Sequence, residues 1–233
     1  MIMTPEQLAG YFDSTNLKLD ATEADIRKLC EDAMLVGAYS VMIYPGSVAL
    51  ASKVLAGTSV KVGTVAGFPS GRFSSAAKAT EIVQAANNGA HEVDVVANYP
   101  ELIAGNTQFV DTELMLLSKI AHDSGVRLKV IVETCYLNET QILDFLKICE
   151  SAEADFIKTS TGFGSAGAKV EHIALWKTNR QGSIGIKAAG GIRNLADALA
   201  LIEAGADRLG LSAAIPIIEE LKTGKASGGN QGY

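Results

Sequence analysis

Strand-length apolar runs alternate with amphipathic stretches of helical period along nearly the whole chain. Eight runs read as strands, at residues 11–17, 40–44, 60–66, 92–97, 128–133, 155–159, 184–188 and 208–211. Several are almost unbroken in Val, Ile and Ala, as parallel strands covered on both faces require. The stretches between them carry helix signals. Thr22 is placed to cap a helix that turns Ile26, Leu29, Cys30, Ala33 and Met34 to one side and ends at Gly37. Asn138 and Gln141 have capping-box spacing ahead of Ile142, Leu143, Phe145, Leu146 and Cys149. Asn194 opens another helix, with Leu195, Leu199 and Ile202 inward and Gly205 as its stop. Eight strand–helix units predict an α/β fold, a single-domain (β/α)8 TIM barrel over residues 1–223; an open doubly wound sheet shares the same periodicity. Residues 224–233, rich in Gly, Ser, Asn and Gln, lose the pattern and read as a flexible C-terminal tail.

Composition narrows the partners. A net charge of -6 argues against nucleic acid and membrane surfaces as partners, while leaving room for a small anion held by local groups. There is no apolar stretch of bilayer length, and the first residues lack the basic and apolar regions of a secretory signal. Cys30, Cys135 and Cys149 lie far apart and read as reduced thiols of a cytoplasmic protein. His91, His122 and His172 are equally scattered, with no metal-ligand spacing, so no metal and no cofactor are expected.

In such a barrel the active groups sit at the C-terminal ends of the strands, here Asp13, Asp94, Glu133, Lys158 and Lys187. Lysine is uncommon in apolar strands, and a single one would read as a side chain reaching past the rim to water. Two on adjacent strands beside a carboxylate point to chemistry. A free lysine is neutral in only roughly one molecule in 2,500 at pH 7, yet an amine must be neutral to attack a carbonyl. A second cation nearby, together with burial, lowers the pKa and raises the neutral fraction about tenfold per unit. Lys158, Lys187 and Asp94 therefore make a self-consistent amine catalyst, without the pattern saying which lysine attacks. The segments Gly190-Gly191-Ile192-Arg193-Asn194 and Gly210-Leu211-Ser212-Ala213 run from the last two strands into helices, the usual phosphate position of a barrel. A formal G-x-G-x-x-G spans Gly162 to Gly167, but the next strand ends in Lys187-Ala188-Ala189 and not in the acidic residue a dinucleotide site needs.

Taken in order, these segments resemble the deoxyribose-phosphate aldolase family. The resemblance is carried by Asp13 to Lys18, Val62 to Gly71, Gly89 to Asn98, Leu128 to Thr134, Phe156 to Gly162, Lys187 to Arg193 and Gly205 to Gly210, nearly the whole chain. It implies a cofactor-free lyase that cleaves 2-deoxy-D-ribose 5-phosphate to D-glyceraldehyde 3-phosphate and acetaldehyde. Lys158 matches the Schiff-base lysine, Lys187 the lysine that lowers its pKa, and Asp94 the proton-relaying carboxylate. Gly162, Gly190, Gly191, Arg193, Gly210 and Ser212 match phosphate-binding positions, and Asp13 and Thr15 positions near the sugar hydroxyls. Lys129 and Glu133, on one strand parity, are expected in the polar network, and Tyr233 matches a C-terminal tyrosine that reaches the site. The resemblance also implies a homodimer.

The chain departs from that pattern at Ser14, where the family often has His, and at Phe163, where some members place a phosphate-binding lysine. It departs again at Leu211 and Ala213, in a loop that often reads Gly-Thr-Ser-Ser; a lost hydroxyl there weakens phosphate binding by about 0.5–1.5 kcal/mol. Two other readings share the barrel pattern: a phosphosugar isomerase or decarboxylase using Asp94 as base, and a non-catalytic phosphosugar-binding barrel.

Overall fold

Residues two apart on a strand face the same way, so alternation decides which side chains enter a closed sheet and which meet its outer helices. The computed structural model describes residues 3–225. Its strands are β1 (Phe12–Asn16), β2 (Ser40–Ile43), β3 (Lys61–Ala66), β4 (Glu92–Val96), β5 (Arg127–Ile131), β6 (Phe156–Lys158), β7 (Gly185–Ala189) and β8 (Arg208–Leu211). All neighbours are parallel, and β8 pairs with β1 to close an eight-stranded barrel.

The helices that cross between strands form the outer layer: α2 (Glu23–Val36), α3 (Val48–Val54), α4 (Ser75–Asn87), α6 (Thr107–Asp123), α7 (Glu139–Ser151), α8 (Val170–Asn179), α9 (Leu195–Ala204) and α10 (Ala214–Thr223). Two short helices that periodicity does not reveal are added, α1 (Pro5–Ala9) ahead of the barrel and α5 (Tyr99–Ile103) after β4. The predicted caps are present. Thr22 and Asn138 each form a capping box, Asn194 accepts from Asp197 N, and Gly37 and Gly205 end their helices in the left-handed conformation. Met34, expected inward on α2, is 38% exposed, because the buried stripe runs through Ile26, Cys30 and Ala33.

Two apolar layers result. Val41, Val62, Val93, Val95, Leu128, Val130, Ile157, Ile186 and Leu209 point outward and bury against the helices in one continuous core. The intervening positions face into the barrel. Near its mouth they form a separate small cluster of Leu17, Met42 and Val65, with Tyr44 and Phe68 packed on it. Deeper, the interior is ionic: Asp13, Glu92, Asp94, Lys129, Lys187 and Arg208 are all at most 3% exposed. Charged residues alternate with Val and Leu in β4 and β5, so the charge lies inside and the apolar face outside. Among the described residues, no helix is long and apolar enough to cross a membrane.

Candidate active site

Register explains why the interior charges sit together. Lys158 is directly across from Lys187, and Lys187 directly across from Arg208. Like charges opposite one another on neighbouring strands repel, so each pair needs a carboxylate between its members. Asp94 serves the first: its Oδ2 accepts from Lys158 Nζ at 2.7 Å and from Lys187 Nζ at 2.8 Å. Asp13 serves the second, with Oδ2 at 2.5 Å from Lys187 Nζ and Oδ1 accepting from Arg208 Nη1 at 2.9 Å. Ser40 also donates to Asp13 Oδ1, at 2.7 Å. Lys129 donates to Asp94 Oδ1 at 3.0 Å and to Glu92 Oε2 at 2.7 Å, and Arg208 Nη2 donates to Glu92 Oε1 at 2.8 Å.

Lys158 and Lys129 do not share one protonation tendency. Burial drives the Lys158 pKa down to about 8; Asp94 pulls it up, and the Lys187 and Lys129 ammonium groups push it down again. Burial opposes the charge on Lys129 too, but Asp94, Glu92 and Asp13 outweigh it and raise its pKa above the ordinary lysine value. Burial would raise Asp94 and Asp13 as well. The surrounding lysines, with Arg208 at Asp13, instead hold both well below the usual carboxylate range.

Lys158 is also the lysine that meets the outside. It lines a cleft at the barrel mouth with Thr15, Leu17, Thr161, Gly162 and the ends of β7 and β8, whereas Lys129 and Lys187 are fully buried. The far wall of the cleft is Gly190, Gly191, Arg193, Gly210 and Ser212. Gly190 and Gly191 have φ of 83° and 79°, a conformation glycine adopts at little cost. A Cβ on Gly167 would lie 2.2 Å from Gly190 O, so the β6–α8 loop crosses the end of β7 only because it lacks a side chain there. Of the two helix starts at this wall, α9 already has its Leu195 and Asp197 amides bonded to Glu220 and Asn194. α10 follows Ala213, which gives no side-chain cap. Its first turn is the better anion seat.

The expected site residues fall into distinct groups. Lys158, Lys187 and Asp94 converge as the strand ends predict, and Lys129 joins them as expected of the polar network. Thr15, Gly162, Gly190, Gly191, Arg193, Gly210 and Ser212 line the cleft. Asp13 does not; it lies beneath the lysines, with its carboxylate committed to Lys187, Arg208 and Ser40. Glu133 requires a correction. Strand β5 ends at Ile131 and Glu133 takes a left-handed φ of 55°, so it does not share the parity of Lys129. That conformation costs a non-glycine residue roughly 1–2 kcal/mol. Its carboxylate accepts from Thr161 N at 3.2 Å and from Thr161 Oγ1 rather than from a lysine, and acts on Lys158 by charge alone. Tyr233 lies outside the described residues. Glu92 and Arg208 escaped the sequence reading. The signal was available, since Glu92 stands two residues before Asp94 and Arg208 two before Gly210, both at inward positions. The segment from Gly162 to Gly167 is a loop, and α8 starts only at Val170, so no helix amide stands at its glycines.

Comparison with known proteins follows the same lines. Residues 8–231 match the model of the DeoC/LacD family aldolases. The deoxyribose-phosphate aldolase of Aciduliprofundum boonei is 43% identical over 220 residues, covering 94% of this chain and 99% of that one. The deoxyribose-phosphate aldolase of Treponema denticola is 44% identical over 212 residues, covering 91% and 98%. Among solved structures, the tetrameric deoxyribose phosphate aldolase of Aeropyrum pernix superposes with a TM-score of 0.88 at 31% identity, over 94% of this chain and 93% of that one. A family match over residues 8–231, with relatives 43% and 44% identical over more than nine-tenths of the chain, means that this chain belongs to the DeoC/LacD aldolase family.

Proposed function

We propose that the protein reversibly cleaves 2-deoxy-D-ribose 5-phosphate to D-glyceraldehyde 3-phosphate and acetaldehyde through a Schiff base on Lys158. The observation that carries this reading is the position of Lys158: of the four basic side chains in the barrel, it borders the cleft and has its pKa lowered to about 8. The neutral amine attacks C1 of the open-chain sugar, and loss of water leaves a protonated imine. Scission of the C2–C3 bond yields a two-carbon and a three-carbon product. The electron pair of that bond moves toward the iminium nitrogen as the C3 hydroxyl loses its proton, giving an enamine and the three-carbon aldehyde. Protonation at C2 and hydrolysis release acetaldehyde and restore the amine.

Asp94 holds Lys158 and Lys187 on one oxygen, which supports a role in relaying these protons through a bridging water. Lys187, bonded to the same Asp94 oxygen and to Asp13, is the cation placed beside the amine. The 5-phosphate fits the opposite wall, against the glycine amides of Gly190, Gly191 and Gly210, the first turn of α10, Ser212 and the Arg193 guanidinium. The reaction needs no cofactor, because the iminium is the electron sink. The free thiols of Cys30, Cys135 and Cys149 suit a cytoplasmic setting. Self-association as a homodimer belongs to the same reading, and sedimentation velocity measures it.

The test is to incubate the protein with acetaldehyde and sodium borohydride and to map the modified lysine by peptide mass spectrometry. A reduced two-carbon adduct on Lys158, absent in Lys158→Ala, is the expected result. Folded protein without an adduct refutes the Schiff base, and an adduct on Lys187 reverses the two lysine roles.

A further inference from the structure

We propose that Glu133 is a positioning residue for the substrate phosphate: its buried carboxylate holds the turn from Thr161 to Phe163 that presents Gly162 to the cleft. This rests on the aldolase reading above and assigns to Glu133 a task in shaping the cleft wall.

The backbone on either side of Glu133 stays bonded to the extension of β6. Val132 N donates to Lys158 O at 3.1 Å and Thr134 N to Thr159 O at 2.9 Å. Glu133 is left-handed between these two anchors, and its side chain is thereby thrown across the end of β6. There the carboxylate accepts from Thr161 N, at 3.2 and 3.3 Å, and from the Thr161 hydroxyl. The same hydroxyl accepts from Phe163 N at 2.9 Å. One carboxylate thus organises three donors in series over three residues, and Gly162, with φ of 89°, is the residue they enclose.

The fit leaves little room for another arrangement. A Cβ on Gly164 would lie 3.1 Å from Glu133 Oε1 and 2.8 Å from Cys135 Sγ, so the chain passes close against the clamp. Glu133 is 2% exposed, and a buried carboxylate in a strained backbone conformation is retained where the surroundings over-determine it. None of its hydrogen bonds goes to Lys158, Lys187 or Asp94. Thr161 and Gly162 nonetheless line the cleft beside Lys158. Disturbing the clamp therefore moves the wall that receives the phosphate and leaves the hydrogen bonds among Lys158, Lys187 and Asp94 in place.

The experiment compares wild type with Glu133→Gln, which keeps the shape but exchanges one acceptor oxygen for a donor facing Thr161. Thr161→Val, which removes the hydroxyl at similar volume, is the second variant. Three readouts are taken: kcat and KM on 2-deoxyribose 5-phosphate, the same constants on unphosphorylated 2-deoxyribose, and borohydride trapping of acetaldehyde on Lys158. A buried donor left without its acceptor predicts a rise in KM for the phosphorylated sugar on the order of tenfold in both variants. The preference for the phosphorylated over the unphosphorylated sugar falls by the same factor, and trapping on Lys158 continues. An equal loss of kcat/KM on both sugars, or an unchanged KM for the phosphorylated one, overturns the clamp while the aldolase reading stands. Wild-type protein that traps no acetaldehyde overturns the aldolase reading, and the proposal with it.

Discussion

Replacing Lys187 by Met tests the central electrostatic claim. Lys158 and Lys187 each lie within 2.8 Å of the same Asp94 oxygen, so their nitrogens are no farther apart than twice that distance. At about 5 Å and an effective dielectric constant of about 20, two unit charges repel by roughly 3 kcal/mol, or about 2 pKa units. Asp94 lies between them and screens part of this, which leaves an expected rise of about 1–2 units in the Lys158 pKa when the Lys187 charge is removed. The sign is fixed: taking away a neighbouring cation stabilises the remaining ammonium, so Lys158 holds its proton to higher pH than its present value of about 8. With that value roughly one amine in ten is neutral at pH 7, and the variant has about 10- to 100-fold less of the reactive form. Both carboxylates keep partners in the variant, Asp94 with Lys129 and Lys158, and Asp13 with Arg208 and Ser40. The assay is the rate of acetaldehyde trapping by cyanoborohydride as a function of pH, from neutral to alkaline. The rising limb should move upward by the stated interval. A limb that stays in place, or moves to lower pH, refutes the claim that Lys187 sets the acidity of Lys158.

Opposite pKa shifts in one barrel predict opposite stability effects. Lys129→Met removes a favoured buried charge facing Glu92 and Asp94 and should cost about 3–5 kcal/mol in denaturant unfolding. Lys158→Met removes a disfavoured one and should leave stability unchanged or higher; a larger loss for Lys158→Met than for Lys129→Met would contradict the network as described. Gly167→Ala places a methyl 2.2 Å from Gly190 O, so it must displace the phosphate wall. We expect KM for the phosphorylated sugar to rise on the order of tenfold or more, the scale of about 1–3 kcal/mol of lost or strained contacts; wild-type KM in the variant would show that the wall does not bind the phosphate.

The barrel was legible because its signals are local. Eight β-rich runs, the caps at Thr22, Asn138 and Asn194, and the stops at Gly37 and Gly205 each depend on neighbours in sequence. The lysine pair was legible because a cation within an apolar strand conflicts with its surroundings, and such conflicts mark sites. What escaped depends on closure. The family resemblance puts Asp13 near the sugar hydroxyls, but its environment is set by β8, which returns Arg208 beside it across 195 positions of sequence. Glu133 misled for a different reason. Alternation assumes that the strand continues, and a single left-handed residue beyond Ile131 is enough to redirect a side chain from one cluster to another. A run of Val, Ile and Glu does not announce where the ladder ends.

The barrel interior departs from the branched apolar layers that usually fill this fold. Beside apolar side chains such as Leu17, Met42 and Val65 it holds three buried carboxylates, Asp13, Glu92 and Asp94, and four basic groups, Lys129, Lys158, Lys187 and Arg208. Buried ion pairs seldom stabilise a protein more than apolar side chains of the same volume, so stability does not explain this arrangement. The count does suggest what does. Three negative charges balance three positive ones, and the interior is neutral when one basic group gives up its proton. Geometry selects which. Lys129 has Glu92 at 2.7 Å, Asp94 at 3.0 Å and Asp13 at 3.8 Å, Lys187 has both Asp13 and Asp94, and Arg208 has Asp13 and Glu92. Among the described residues Lys158 is ion-paired with Asp94 alone, which is already shared with two other lysines. The group with the weakest hold on its proton is therefore the one that borders the cleft, and the network below it acts as a device for leaving that amine neutral.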